Sequence, residues 1–73
     1  MPSLNLNGLK CPMPIIKISR AIREIPVGQT LDGVANEAGF QPDVQAWCRS
    51  TGHELVSLDK TGLEFHFVIR RTK

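Results

Sequence analysis

The sequence predicts an α/β two-layer sandwich in the order β-α-β-α-β-β, a mixed four-stranded sheet with both helices packed on one face. Three observations lead there. Period-two alternation marks the early and late segments, with Leu4 and Leu6 set against Asn5 and Asn7, and Phe65, Phe67 and Ile69 against Glu64, His66 and Arg70. Two stretches between them carry apolar residues at helical spacing instead. The chain has 73 residues, 41% of them apolar, which suffices for one core and not for two. Strands with one apolar face and helices with one apolar stripe bury everything only by sharing that core. Residues 1–73 are therefore expected to form a single domain.

Taken in order, Leu4 to Asn7 reads as a short strand that Gly8 ends. From Pro12 to Ile25 the period lengthens. Ile15, Ile18, Ile22 and Ile25 take one side of a helix, while Lys17, Arg20, Arg23 and Glu24 take the other. Pro26 and Gly28 stop it, and Thr30 to Ala35 follow as a second strand. Pro42 suits the first position of a second helix and Asp43 its positive end. That helix sets Val44, Trp47, Cys48 and Thr51 on one face, and Gly52 is placed to cap it. The remainder reads as a hairpin: His53 to Asp59, a turn at Lys60-Thr61-Gly62, then a strand whose inward residues are Leu63, Phe65, Phe67 and Ile69. A right-handed crossover makes the first two strands parallel.

Composition excludes several functions. Nine Lys and Arg against seven Asp and Glu give a net charge of +2, and the strands offer no aromatic stacking platform, which argues against direct nucleic-acid binding. No apolar run approaches the roughly 20 residues of a membrane span, and the N-terminus lacks a signal-peptide pattern, so a cytoplasmic protein is expected. Two cysteines make no disulfide framework. A zinc site would need Cys11, Cys48, His53 and His66 to converge, with no C-x-x-C pair and on diverging faces. Glycine-rich phosphate loops are lacking, and Asp32, Glu37, Asp43 and Asp59 are scattered rather than paired. No cofactor or metal is expected.

Cys11-Pro12-Met13-Pro14 is the one arrangement that packing does not explain. With Cys11 at the N-cap, Pro12 and Pro14 fall at the first and third helical positions, where a missing N–H costs no intrahelical bond. The N–H of Met13 is then the donor left for a Cys11 thiolate. The helix dipole and Lys10 both favour that anion, so the thiol pKa should lie below its reference of about 8.5. Met13 shares a sector with Lys17, Arg20 and Glu24 rather than with the isoleucines, and Lys10, Met13, Lys17 and Arg20 are candidate partner-docking residues. The plain alternative is a small core cysteine behind a proline-stiffened helix start. Cys48, on the apolar face of the second helix, is expected to be inert. His66 faces away from the helices, and His53 is placed to satisfy the last carbonyls of the second helix, so neither makes a Cys–His dyad.

Leu4-Asn5-Leu6-Asn7-Gly8-Leu9-Lys10-Cys11-Pro12-Met13-Pro14 resembles the opening of the TusA/SirA-like sulfur-carrier family, Leu-Asp-x-x-Gly-Leu-x-Cys-Pro-x-Pro. Residues 43–55 resemble its second-helix segment and residues 65–71 its final strand. The resemblance implies the topology argued above and a sulfurtransferase-type role. Cys11, the matching position, would accept sulfur as a persulfide from a cysteine desulfurase or rhodanese-like donor and pass it to an acceptor protein, feeding tRNA thiolation, molybdenum-cofactor assembly or sulfur oxidation. Asn5 stands where the family usually has Asp, Asn36-Glu37 where many relatives have two acidic residues, and Met13 where the tRNA-thiolating branch has Glu. The rival reading is a small RNA- or protein-binding regulatory module using the basic helix face and tail, with Cys11 structural.

Overall fold

The computed structural model describes residues 3–10 and 12–73. Its elements are β1 (Ser3–Asn5), α1 (Met13–Ala21) continued by one 3-10 turn (Ile22–Glu24), β2 (Thr30–Ala35), α2 (Phe40–Thr51), β3 (Glu54–Thr61) and β4 (Glu64–Arg70). The sheet order is β1-β2-β4-β3. β1 runs parallel to β2, with Leu4 opposite Gly33, and the other two pairings are antiparallel. This is the predicted mixed sheet.

Every second residue of β2 and β4 enters one core. Leu31, Ala35, Phe67 and Ile69 are sealed there with Ile18 and Ile22 of the first helical segment and Phe40, Val44 and Cys48 of α2. The Phe40 ring lies 5.3 Å from Phe67 and 5.9 Å from Phe65, both tilted, the offset geometry that the ring quadrupoles favour. Burying each such side chain contributes roughly 1.5–3 kcal/mol.

Several boundaries differ from the expectation. β1 ends at Asn5, two residues before Asn7, although the Leu6 N–H still pairs with the Val34 carbonyl. The first helix leaves α geometry after Ala21, and Ile25 sits in extended backbone while still reaching the core. α2 starts at Phe40, two residues before Pro42. Phe40 is the apolar anchor there, and its N–H donates to the Glu37 carbonyl at 3.1 Å. Pro42 then falls third, where its missing N–H again costs nothing. The hairpin turns at Gly62 and Leu63, with Lys60 and Thr61 still in β3. Leu63 is consequently 84% exposed and is no inward residue of β4. Gly52 caps α2 as predicted, at φ 86°, a left-handed conformation that a side chain would strain.

The end of the first helical segment is held from across the fold. Arg71 Nη1 donates to the carbonyls of Ile25 at 2.7 Å and Arg23 at 3.2 Å. Its main chain pairs with Gln29 and Gly28, so one residue ties β4's exit to the helix end.

Candidate functional site

Because β1 and β2 are parallel, both release the chain at the same end of the sheet, into α1 and α2. In open α/β sheets chemistry gathers outside such carboxyl ends. Cys11 lies outside the described residues, so the site is built from what flanks it in the chain.

The loop between β1 and α1 is strapped down by asparagines. The Leu6 N–H extends the β1–β2 pairing to the Val34 carbonyl at 2.8 Å, and the Leu9 N–H returns to Leu6 at 3.2 Å. Gly8, at φ 85°, makes the reversal between them. The Asn5 side chain accepts from the Asn7 N–H at 3.1 Å, Asn7 Nδ2 donates to Glu64 Oε2 at 2.7 Å, and Asn36 Oδ1 accepts from the Gly8 N–H at 2.9 Å. The loop before Cys11 is thereby bonded to both its neighbours, β4 and the β2–α2 loop. The family resemblance singled out Asn36 beside Glu37, but sequence reading gave no site role to Asn7 or Glu64, which lie 57 residues apart. Asn36→Ala should cost about 1 kcal/mol of stability and slow Cys11 alkylation or change its pH profile, read by thiol labelling; an unchanged profile would count against a positioning role.

The start of α1 corrects the expected cap. Pro12 occupies the N-cap position, and Met13 and Pro14 are the first two helical residues. The N–H of Met13 donates to the Lys10 carbonyl at 2.8 Å, so it is not the donor awaiting a thiolate. A tight turn from Lys10 to Met13 takes that donor, and Pro12 and Pro14 have none to give. What remains for an anion at this position is the positive end of a nine-residue helix and the Lys10 ammonium. Pro14 is buried, whereas Pro12, Met13, Lys17 and Arg20 are exposed. Met13, 39% exposed, lies one turn from Lys17 and two from Arg20, so the predicted apolar and basic stripe faces solvent.

Beside this stripe opens a cleft of about 390 Å³ lined by Gly8, Leu9, Lys10, Asn36, Glu37 and Ala38. The two loops leaving β1 and β2 stand far enough apart to make it. Glu37 folds back toward Gly39, where a Cβ would meet its Oε2 at 3.1 Å. Glu37 Oε2 and Asn7 Oδ1 are buried with no hydrogen-bond partner among the described residues. An unmade buried bond costs about 1–3 kcal/mol, and both instances fall at this end.

The remaining candidates lie elsewhere. Cys48 is 5% exposed in the core, and burial raises its thiol pKa, as expected of an inert cysteine. Among the described residues no group of His, Cys, Asp and Glu is placed to hold a metal. His66 is exposed on the open sheet face, 3.5 Å from Glu64. His53 does not serve the last carbonyls of α2: Thr72 Oγ1 donates to the Gly52 carbonyl, while His53 Nδ1 accepts from the Thr72 N–H at 3.2 Å. Its ring stacks on Trp47 at 5.4 Å. Burial first, then the charges of Arg71 and Lys73, hold its pKa below 6.5. The folded state therefore disfavours protonation, and stability present above about pH 6.5 is lost as pH falls toward the lowered value. His53→Gln should flatten that loss in melts taken between pH 7 and pH 5; a decline as steep as wild type would refute it.

Comparison with known proteins bears on this arrangement. The family model described as Sulfurtransferase TusA matches residues 3–71. The chain is 33% identical over 69 residues to the sulfur carrier protein TusA of Allochromatium vinosum, covering 94% of this chain and 91% of that one. It is 34% identical over 68 residues to YrkF of Bacillus subtilis, covering 93% of this chain and 37% of YrkF; it therefore spans little more than a third of that relative. The crystal structure of a SirA-like protein from Desulfitobacterium hafniense superposes over the full length of both chains with a TM-score of 0.83 at 19% identity, which shows a shared fold. Fold and site together define a small α/β protein whose cysteine-bearing loop opens its first helix. The chain belongs to the TusA sulfurtransferase family, the TusA/SirA-like group that its opening motif resembles. Among the described residues no helix is long and apolar enough to cross a membrane.

Proposed function

We propose that the chain is a sulfur carrier in which Cys11 holds sulfur as a persulfide between two protein partners. The Cys11 thiolate attacks the outer sulfur of a donor persulfide, a cysteine desulfurase or rhodanese-like protein. The donor's sulfur–sulfur bond breaks and its thiolate leaves. An acceptor thiolate then attacks the same outer sulfur and releases Cys11 as thiolate, so the cycle needs no external oxidant or reductant.

The observation that carries the reading is the pinned loop before Cys11, set between a basic, partly apolar helix stripe and an open cleft. Pro12, Met13 and Pro14 fix the chain direction where the helix field begins. Lys10, Met13, Lys17 and Arg20 are the surface on which partners dock. The cleft admits a cysteine-bearing segment of a partner, which supplies whatever acid or base the transfer needs. Persulfide carriage on a thiol suits the reducing cytoplasm.

The test follows the sulfur through both steps. After incubation with a cysteine desulfurase and cysteine, the intact mass of wild type and of Cys48→Ser should rise by one sulfur, and adding a thiol acceptor after removing the donor should return it. A chain that stays at its original mass, or keeps the sulfur when acceptor is added, is not a carrier.

A further inference from the structure

A second cleft opens beside Trp47 and His53, where the C-terminal segment meets α2 and the end of the first helical segment. It encloses about 260 Å³. Three cations line it, Arg23, Arg71 and Lys73, together with His53, Trp47 and Thr51. No Asp or Glu side chain is among its lining residues, and none of the three cations pairs with one among the described residues; the negative group at hand is the main-chain carboxylate of Lys73, which Arg71 Nε meets at 2.6 Å. The ion pair nearest in sequence, Arg70 with Glu54, belongs to neighbouring strand residues that do not line the cleft.

Each group is fixed by other contacts while keeping donors to spare. Arg71 spends Nε on the main-chain oxygen of Lys73 at 2.6 Å and Nη1 on Ile25 and Arg23, which leaves Nη2. His53 accepts at Nδ1, so its neutral ring carries the proton on Nε2, a donor. Lys73 packs its Nζ against Gly52, where a Cβ would meet it at 3.1 Å. Three cations against the single main-chain carboxylate of Lys73 leave positive charge in excess, and after burial the charges of Arg71 and Lys73 are the causes that lower the His53 pKa. An anion would relieve it.

We propose that this cleft is a binding site for a small oxyanion, a phosphate or diphosphate group held by Arg23, Arg71 and Lys73 with His53 Nε2 as a further donor. Ligand clefts run from roughly 300 Å³ upward, so the space fits such a group rather than a large organic ligand. The planar fork of Arg and the point charge of Lys are the usual partners of phosphate. The site shares no lining residue with the cleft beside Cys11 and does not depend on the sulfur chemistry.

Trp47 is the only tryptophan in the chain and reports directly. Fluorescence of the full chain is titrated at low salt with inorganic pyrophosphate, ADP and a short single-stranded RNA, while NMR follows the His53 ring protons. Saturation by pyrophosphate alone identifies the free anion as the source, and saturation by ADP as well extends it to nucleotide phosphates; either supports the site. The bound anion should raise the His53 pKa. Arg23→Gln with Lys73→Gln should weaken binding by at least about tenfold, whereas Lys60→Gln, which removes a distant charge, should leave it within about twofold. Arg71 is left intact because it holds the fold. Saturation by RNA alone, an unmoved His53 titration, or equal losses in the Lys60 variant would overturn the proposal.

Discussion

Cys11→Ser should gain no sulfur from a desulfurase under conditions that load wild type to completion, a loss limited only by the detection floor. Serine keeps the size of the residue and can hydrogen-bond at a helix start, but its hydroxyl is not ionised near neutral pH and does not attack a sulfane sulfur. Its fold should be unchanged, which circular dichroism and melting check directly. The second cysteine sharpens the comparison: Cys48 is sealed in the core with its thiol pKa raised by burial, so Cys48→Ser should load like wild type. Loading that survives in Cys11→Ser and vanishes in Cys48→Ser would move the chemistry to the wrong end of the molecule for every contact described above.

The largest stability effect is expected at Gly33. It sits in the middle of β2, opposite Leu4 of the parallel neighbour and Phe67 of the antiparallel one. A Cβ there would stand 2.5 Å from the Leu4 carbonyl oxygen, 2.8 Å from the tip of the Phe67 ring and 3.0 Å from Leu4 Cβ. The ring can tilt, but the carbonyl is backbone, and β1 has only three residues to hold it. Overpacking of this kind costs typically about 1–3 kcal/mol, so Gly33→Ala should lower the melting temperature by on the order of 10 °C in a chain of this length. The displaced strand is the one that carries the Asn7–Gly8 turn, and sulfur loading should slow in the same variant. A melting temperature within about 2 °C of wild type would show that β1 yields freely, and that it is not what fixes the loop.

Much of this architecture was legible because it depends on period alone. Ile18 and Ile22, then Val44 and Cys48, declare their helix faces by spacing, and Phe65, Phe67 and Ile69 declare the inner face of β4; the core holds all of them. Phe40 was not legible. It follows a glycine and precedes no obvious cap, and only its place between Phe65 and Phe67 draws the helix two residues upstream of Pro42. Leu63 failed for the opposite reason. It keeps the alternation of β4 in sequence, yet the hairpin reverses there and leaves it in solvent.

The site was legible as a motif and not as a geometry. Cys11-Pro12-Met13-Pro14 marks the place, and Met13, Lys17 and Arg20 stand exposed as their spacing required. The bonds that position the loop join Asn7 to Glu64 and Gly8 to Asn36, pairs that no local pattern connects. The main-chain bond from Met13 to Lys10 was hidden for a related reason: a cap assigned by residue type does not say which carbonyl arrives first. Glu37 reads in sequence as one scattered carboxylate, and becomes part of a cleft wall only once the loops after β1 and β2 are brought to one end.

Digestion of the sulfur-loaded chain at lysine and arginine separates the two thiols, because Cys11 falls within residues 11–17 and Cys48 within residues 24–49. Mass spectrometry without reductant should find the added sulfur on the first peptide alone and lose it there after reduction. Finding it on the second peptide, or on neither, would contradict the assignment of sulfur carriage to Cys11.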